Sequence, residues 1–214
     1  NRDPAKSCTY APYPDVPAHS CGTYLVFPWG SVPRADTFYS EKNPRGEWST
    51  PKPHPLTLGN PINGVVLTNN GNRAYFSTQF SDANKSDIAY ADKVNGVWGK
   101  PVRIDIVDSS DVEDDPYVNA ADNEMYFWSR KPAAFKGDNI YHSVKVNGVW
   151  QAPELLPATI NSDSDDMQTF VFKDELYFAS GREEGKMKIF KPHKEGNSWT
   201  LPTLVISSDF AVGE

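Results

Sequence analysis

Residues 124–153 read EMYFWSRKPAAFKGDNIYHSVKVNGVWQAP, and this stretch decides the fold. It holds an aromatic strand ending in Phe127, a second strand with Tyr141 near its middle, a Val-Asn-Gly turn and a Trp-x-x-Pro close. The same marks return along the chain. Trp-x-x-Pro occurs at Trp48, Trp98, Trp150 and Trp199, spaced by 50, 52 and 49 residues. The strands TYLVF, RAYF, EMYF and ELYF end at Phe27, Phe76, Phe127 and Phe178, and Tyr39, Tyr90, Tyr141 and Phe190 mark the strand that follows each. Turns at NPRG, VNG, VNG and EGN then supply the Gly and Asn that a tight hairpin needs for positive φ. Self-similarity at such a period is the signature of a repeat architecture.

A further strand precedes the Phe-ending one as GVVLTNN, PYVNAA and MQTFVFK in the last three units, and the first unit lacks it. The C-terminal SSDFAVGE follows Trp199 where a new unit should open, so it is read as the missing strand. The expected fold is all-β: a four-bladed β-propeller of four-stranded antiparallel blades, its ring closed by the C-terminal strand pairing into the first blade. Radial repetition of this kind leaves few exposed strand edges. The blades fall at about residues 22–56 plus 207–214, 57–106, 107–157 and 158–206, after a leader over 1–21.

The unit with LYF, then Asp-x-Ile-Tyr, then Gly-x-Trp-x-x-Pro resembles the WD40-like repeats of TolB-type propellers over roughly residues 22–214. The Ser-Pro-Asp-Gly turn common in that group is replaced here by TNNGN, AADNE and FKDE. The resemblance implies the fold alone, because such repeats serve binding proteins and enzymes alike.

Composition narrows the classes of function. The 214 residues carry 21 Lys+Arg against 28 Asp+Glu, a net charge of −7, so no basic face is available to displace counterions from a phosphate backbone. Nucleic acid is excluded as a partner. No apolar run approaches the ~20 residues of a membrane span. The chain begins at Asn1, and its only cysteines, Cys8 and Cys21, lie in SCTYAPYPDVPAHSC without zinc-site spacing. A disulfide between them is expected, restricting the unfolded leader by ~3 kcal/mol in the chain-entropy model. Asn84-Lys85-Ser86 fits the glycosylation triplet in a polar stretch. A processed start, paired cysteines and a sequon point to a secreted protein.

The four repeated Trp are expected to fill gaps between adjacent blades, since recurrence in every unit is what packing requires. Trp29 and Trp128 stand outside that set, each following a Phe-ending strand in FPWG and FWSR. They read either as packing or as an aromatic wall at the mouth of the central channel. Alignment on the Phe-ending strand puts Gly64, Asp115 and Asp166 at one position, with Glu214 close by. Carboxylates converging there would repel one another, raise their pKa values or demand a hard cation such as calcium. Solvated acidic loops, a structural calcium and a catalytic acid or base stay open as readings of this set. Arg130 and Arg182 follow the Phe-ending strands, and none of His19, His54, His142 and His193 has metal or nucleophile-partner spacing. Nucleophile-elbow, phosphate-loop and sialidase motifs are absent from the sequence.

Two functions follow. In the first, the channel mouth binds an apolar aromatic or terpenoid substrate between Trp29, Trp128, Tyr117, Phe135 and Phe210, with Arg130, Asp115 and Asp166 as catalytic donors, acceptors or proton carriers. No cofactor is required. In organisation, a small chain of four units with an early cysteine pair is similar to fungal pericyclases of the hetero-Diels–Alder type. That resemblance implies a cage holding two reactants in a near-attack arrangement, with hydrogen bonds polarising the diene. The alternative is a carbohydrate- or protein-binding, lectin-like propeller with equivalent sites on several blades. The loops PWGSVPR, STQFSDANKS, WSRKPAAFKG and ASGREEG differ from blade to blade, as one asymmetric pocket would require.

Overall fold

Asn95-Gly96 and Asn147-Gly148 both adopt positive φ at both residues, the condition for a two-residue hairpin turn whose twist matches its strands. These turns set the meander. The computed structural model describes residues 38–57, 62–172, 175–196 and 198–206. In the first unit, β1 (Phe38–Tyr39) pairs with β2 (Lys52–Pro53), and Lys42 bridges to Trp48. The second unit holds β3 (Ile62–Thr68), β4 (Arg73–Gln79), β5 (Ser86–Val94), β6 (Val97–Trp98) and β7 (Val102–Arg103). The third holds β8 (Glu113–Val118), β9 (Glu124–Ser129), β10 (Asn139–Val146), β11 (Val149–Trp150) and β12 (Glu154–Leu155). The fourth holds β13 (Asp166–Phe172), β14 (Glu175–Ser180), β15 (Lys188–Lys191), β16 (Lys194–Glu195), β17 (Ser198–Trp199) and β18 (Thr203–Ile206).

Every pairing among the described strands is antiparallel. β3-β4-β5, β8-β9-β10 and β13-β14-β15 run as three successive sheets, with β7, β12 and β18 as the fourth strand of each. The fourth strand is split in units two and three. β6 and β11 pair with the far ends of β5 and β10 before the chain re-enters as β7 and β12. Pro101 and Pro153 stand at those breaks, and a proline cannot donate to the ladder. The result is an all-β protein of consecutive antiparallel sheets, compatible with a propeller.

The sheets meet face to face, and strand alternation decides which residue faces which neighbour. Phe76 packs with Leu56, Ile62 and Ala89 on the first-unit side of the second sheet. Tyr75, one residue earlier, turns the other way to meet Met125, Phe127 and Tyr141 of the third sheet. Tyr126 then faces Leu176, Phe178 and Phe190 of the fourth. Phe76, Phe127 and Phe178 therefore each face the preceding unit, and their strands run on two or three residues past them, to Gln79, Ser129 and Ser180. Polar links cross the same gaps: the Tyr117 hydroxyl donates to the Val171 carbonyl at 2.9 Å, and Lys145 Nζ donates to the Tyr75 hydroxyl at 2.8 Å.

Three of the four repeated Trp occupy these gaps as expected, whereas Trp48 is 42% exposed and belongs to none of the core clusters of the described residues. Trp98 packs against the first-to-second core, Trp150 lies within the second-to-third and Trp199 lies against the third-to-fourth. A second repeat accompanies them. Lys42, Lys93, Lys145 and Lys194 hold their ammonium groups 4.8, 5.2, 4.5 and 5.4 Å from the ring centres of Trp48, Trp98, Trp150 and Trp199. Each pair belongs to one hairpin, so a cation–π contact worth ~0.5–1 kcal/mol or more recurs in every unit.

Candidate functional site

Among the described residues, the first strand of each of the last three units carries a bulge at the same place. The ladder jumps between Asn63 and Val66 in β3, between Asp114 and Tyr117 in β8, and between Met167 and Phe170 in β13. The first bulged residue takes positive φ in all three: Gly64 at 58°, Asp115 at 49° and Gln168 at 54°. This corrects the alignment of Asp166 with Asp115. The turn between β13 and β14 leaves two residues between the paired Phe172 and Glu175, whereas Thr68 and Arg73 enclose four. The equivalent position therefore moves by two residues, to Gln168. Asp166 pairs across the ladder with Ser180 as Glu113 does with Ser129, which makes Asp166 the counterpart of Glu113.

Glu113 and Asp166 share a local device. Ser109 and Ser162 each donate both backbone N–H and hydroxyl to the carboxylate four residues on. The same hydroxyls accept from Asp111 N and Ser164 N. Both carboxylates are fully buried, and Asp166 is further held by Arg182 at 2.9 Å. Asp166 thus closes its loop, two positions away from the register of Asp115. Ser-x-x-x-acid spacing in SSDVE and SDSDD was the signal for this role.

Asp115 has a different environment. Its Oδ2 accepts the Trp128 indole N–H at 3.0 Å, and its backbone lies so close to β3 that a Cβ on Gly64 would fall 2.8 Å from Asp115 Cα. Only glycine fits there, because any Cβ would meet that backbone, and the positive φ of 58° favours glycine as well. Next to it, Asp114 accepts from the Ser77 hydroxyl and from Asp115 N. Burial, then the charge of Asp114, pushes the Asp115 carboxyl up to about 6, while the Trp128 N–H acts in the opposite sense. Among the described residues no Lys or Arg forms an ion pair with Asp114 or Asp115. A carboxyl with a pKa near neutrality can both give and take a proton at working pH.

Of the other expected site residues, Trp128 is buried beside Asp115, and the Arg130 guanidinium lies 5.8 Å from its ring centre. Arg130 itself is paired with Asp138 at 2.9 and 3.2 Å. Tyr117 turns away into the third-to-fourth gap, edge-on to Phe170. Phe135 is half-buried in the loop between β9 and β10, where its carbonyl lies 3.4 Å from Asn139 Nδ2. Trp29, Phe210, Glu214, Cys8 and Cys21 lie outside the described residues. Asn84 is exposed in the bend before β5.

The carboxylates that gather with metal-like spacing are Asp87, Asp108 and Glu113, each offering an oxygen within 4.8 Å of the others. A side chain of the same protein sits among them. Lys85 Nζ contacts Asp87 and Asp108 directly and Glu113 at 3.6 Å, and Arg103 Nε lies 3.0 Å from Asp87. Burial alone would lower the Lys85 ammonium, but hydrogen bonds to Asp108 and Asp87 outweigh it and raise it. This buried charge cluster ties the second sheet to the third. The sequence reading missed Lys85, Asp87 and Asp108 because they come from a loop, a strand start and a second loop that only the folded register brings together.

No protein-family model matches the chain, and no curated protein matches it in sequence. Among solved structures it is similar to a puromycin-hydrolyzing peptidase of Mycobacterium tuberculosis, with TM-score 0.49, 13% identity, and coverage of 83% of this chain and 30% of that one. It is also similar to a prolyl endopeptidase chain, with TM-score 0.38, 12% identity, and coverage of 80% and 33%. The protein spans about a third of the length of the solved structures it resembles.

Proposed function

We propose that the protein binds a single small molecule on the face carrying the Asp115 bulge and acts on it without a cofactor, with Asp115 as the acid. The observation that carries this reading is a largely buried carboxyl with no cationic partner among the described residues, set at a backbone kink beside an indole. A neutral Asp115 would donate a hydrogen bond to a carbonyl or quinone-methide oxygen, and Trp128 would offer apolar surface to an aromatic or terpenoid substrate. Holding two unsaturated partners in a near-attack arrangement and polarising one of them is the chemistry of a cycloaddition or cyclisation.

Native mass spectrometry against a library of apolar aromatic and terpenoid metabolites tests the site. One equivalent of ligand is expected. Because the protonated carboxyl is the donor, affinity should be full below pH ~6, fall as pH rises through that value, and fall on Trp128→Ala. Asp115→Asn keeps a residue tolerant of positive φ and should abolish the pH dependence. Binding insensitive to both substitutions would sink the assignment.

The same reading takes the architecture to be a four-bladed ring in which residues 207–214 complete the first blade beside TYLVF. Removing those eight residues should unfold or oligomerise the protein by leaving an inner edge unpaired. A truncated monomer with unchanged Tm would refute closure.

A further inference from the structure

At the opposite end of the inner strands, the turn between β3 and β4 and the turn between β8 and β9 border a groove of about 400 Å³. Its lining is Asn69, Asn70, Arg73, Ala120, Ala121 and Asp122. The volume falls within the ~300–1,000 Å³ of small-molecule sites. Three of the six residues, Asn69, Asn70 and Asp122, hold positive φ, which fixes the rim in a conformation few other residues would adopt.

The charges in its floor are already matched. Arg73 makes a two-pronged pair with Asp92 at 2.7 and 2.8 Å and approaches Asp122 at 3.6 Å, while Lys145 holds Asp122 at 2.7 Å. Two cations and two carboxylates cancel, so a charged ligand would find no unpaired counter-ion. The Asn69 and Asn70 carboxamides are exposed and bond to no other side chain or backbone group in the described structure, leaving amide donors and acceptors at the rim. Ala120 and Ala121, both exposed, complete the uncharged part of the lining.

We propose that this groove binds an uncharged, hydroxyl-rich molecule of monosaccharide size. Carboxamides satisfy hydroxyls in both directions, so Asn69 and Asn70 supply both the donors and the acceptors that a polyol needs, while Ala120 and Ala121 add no charge beside them. No aromatic side chain lines the groove, so the affinity is weak, with Kd on the order of 1–10 mM. The site is independent of Asp115.

A ¹H–¹⁵N NMR titration of the whole protein with glucose, galactose, mannose and N-acetylglucosamine tests it, with glucuronate and glucosamine as charged counterparts. At least one neutral sugar should shift the amides of 69–73 and 120–122 and the Asn69 and Asn70 side-chain NH2 signals saturably, at one equivalent. Ala121→Leu fills an exposed position in the groove, and Asn69→Gly with Asn70→Gly removes the carboxamides while keeping the turn. Each should weaken binding at least tenfold with the rest of the spectrum unchanged. No saturable shift from any neutral sugar up to roughly 100 mM, saturable binding of the charged sugars alone, or shifts that survive Ala121→Leu would overturn the proposal.

Discussion

Replacing Trp150 by alanine is expected to cost the protein about 3–5 kcal/mol of stability, the range for removing a large aromatic side chain from a packed interior. Trp150 is only 8% exposed and stands edge-on to Tyr75 at 5.9 Å, with Lys145 over its other side. Its loss would open a cavity between two sheets and unseat the Lys145 link to Tyr75. For a chain of this length that corresponds to a Tm lower by roughly 6–20 °C. Val149, the preceding residue, is 64% exposed, so Val149→Ala should stay within ~0.5 kcal/mol. Thermal unfolding of the two variants side by side is the check. Equal effects would mean that the Trp ladder does not hold the sheets together.

Lys85→Met should be comparably severe, and its cost should depend on pH. The substitution keeps most of the aliphatic stem and removes the ammonium, leaving Asp87, Asp108 and Glu113 facing one another with Arg103 as the remaining cation. Breaking a buried ion pair from one side typically costs ~3–5 kcal/mol. Burial already raises the Glu113 carboxyl, and loss of the Lys85 charge, which acts in the opposite sense, would raise it further. A carboxyl whose folded pKa exceeds its unfolded value stabilises the fold at low pH, and that contribution is lost as pH rises through the folded pKa. The deficit of Lys85→Met should therefore be largest at pH 7–8 and shrink towards pH 5, with Lys85→Arg recovering part of it. Urea titrations at the two pH values measure this, and a deficit independent of pH would show that the lysine acts through packing alone.

Both residues were unequally legible in the sequence. Trp150 announced itself because its role recurs, and a recurring pattern survives without knowledge of register. The strand order, the Asn-Gly turns and the Trp positions could all be read for the same reason. Lys93 and Trp98, or Lys145 and Trp150, were equally regular at five-residue spacing, yet charge beside an aromatic carries little signal until a hairpin brings the two together. Asp115 was found as a candidate and Gly64 was correctly aligned with it, but Asp166 was misplaced, because a turn shorter by two residues after β13 shifts every position of that strand relative to the Phe178 used for alignment. Lys85 was invisible as a partner for Glu113, 28 positions away, since long-range ion pairs follow from sheet packing and not from local sequence.

The bulge shared by β3, β8 and β13 separates what the repeat copies from what it varies. Three copies keep the same left-handed kink at the same point of the ladder, yet they mount glycine, aspartate and glutamine on it. The backbone kink is thus independent of the side chain mounted on it. Glycine at the kink of β3 leaves room for the backbone of Asp115 in β8, so the two units are not interchangeable: a side chain on the first kink would collide with the second.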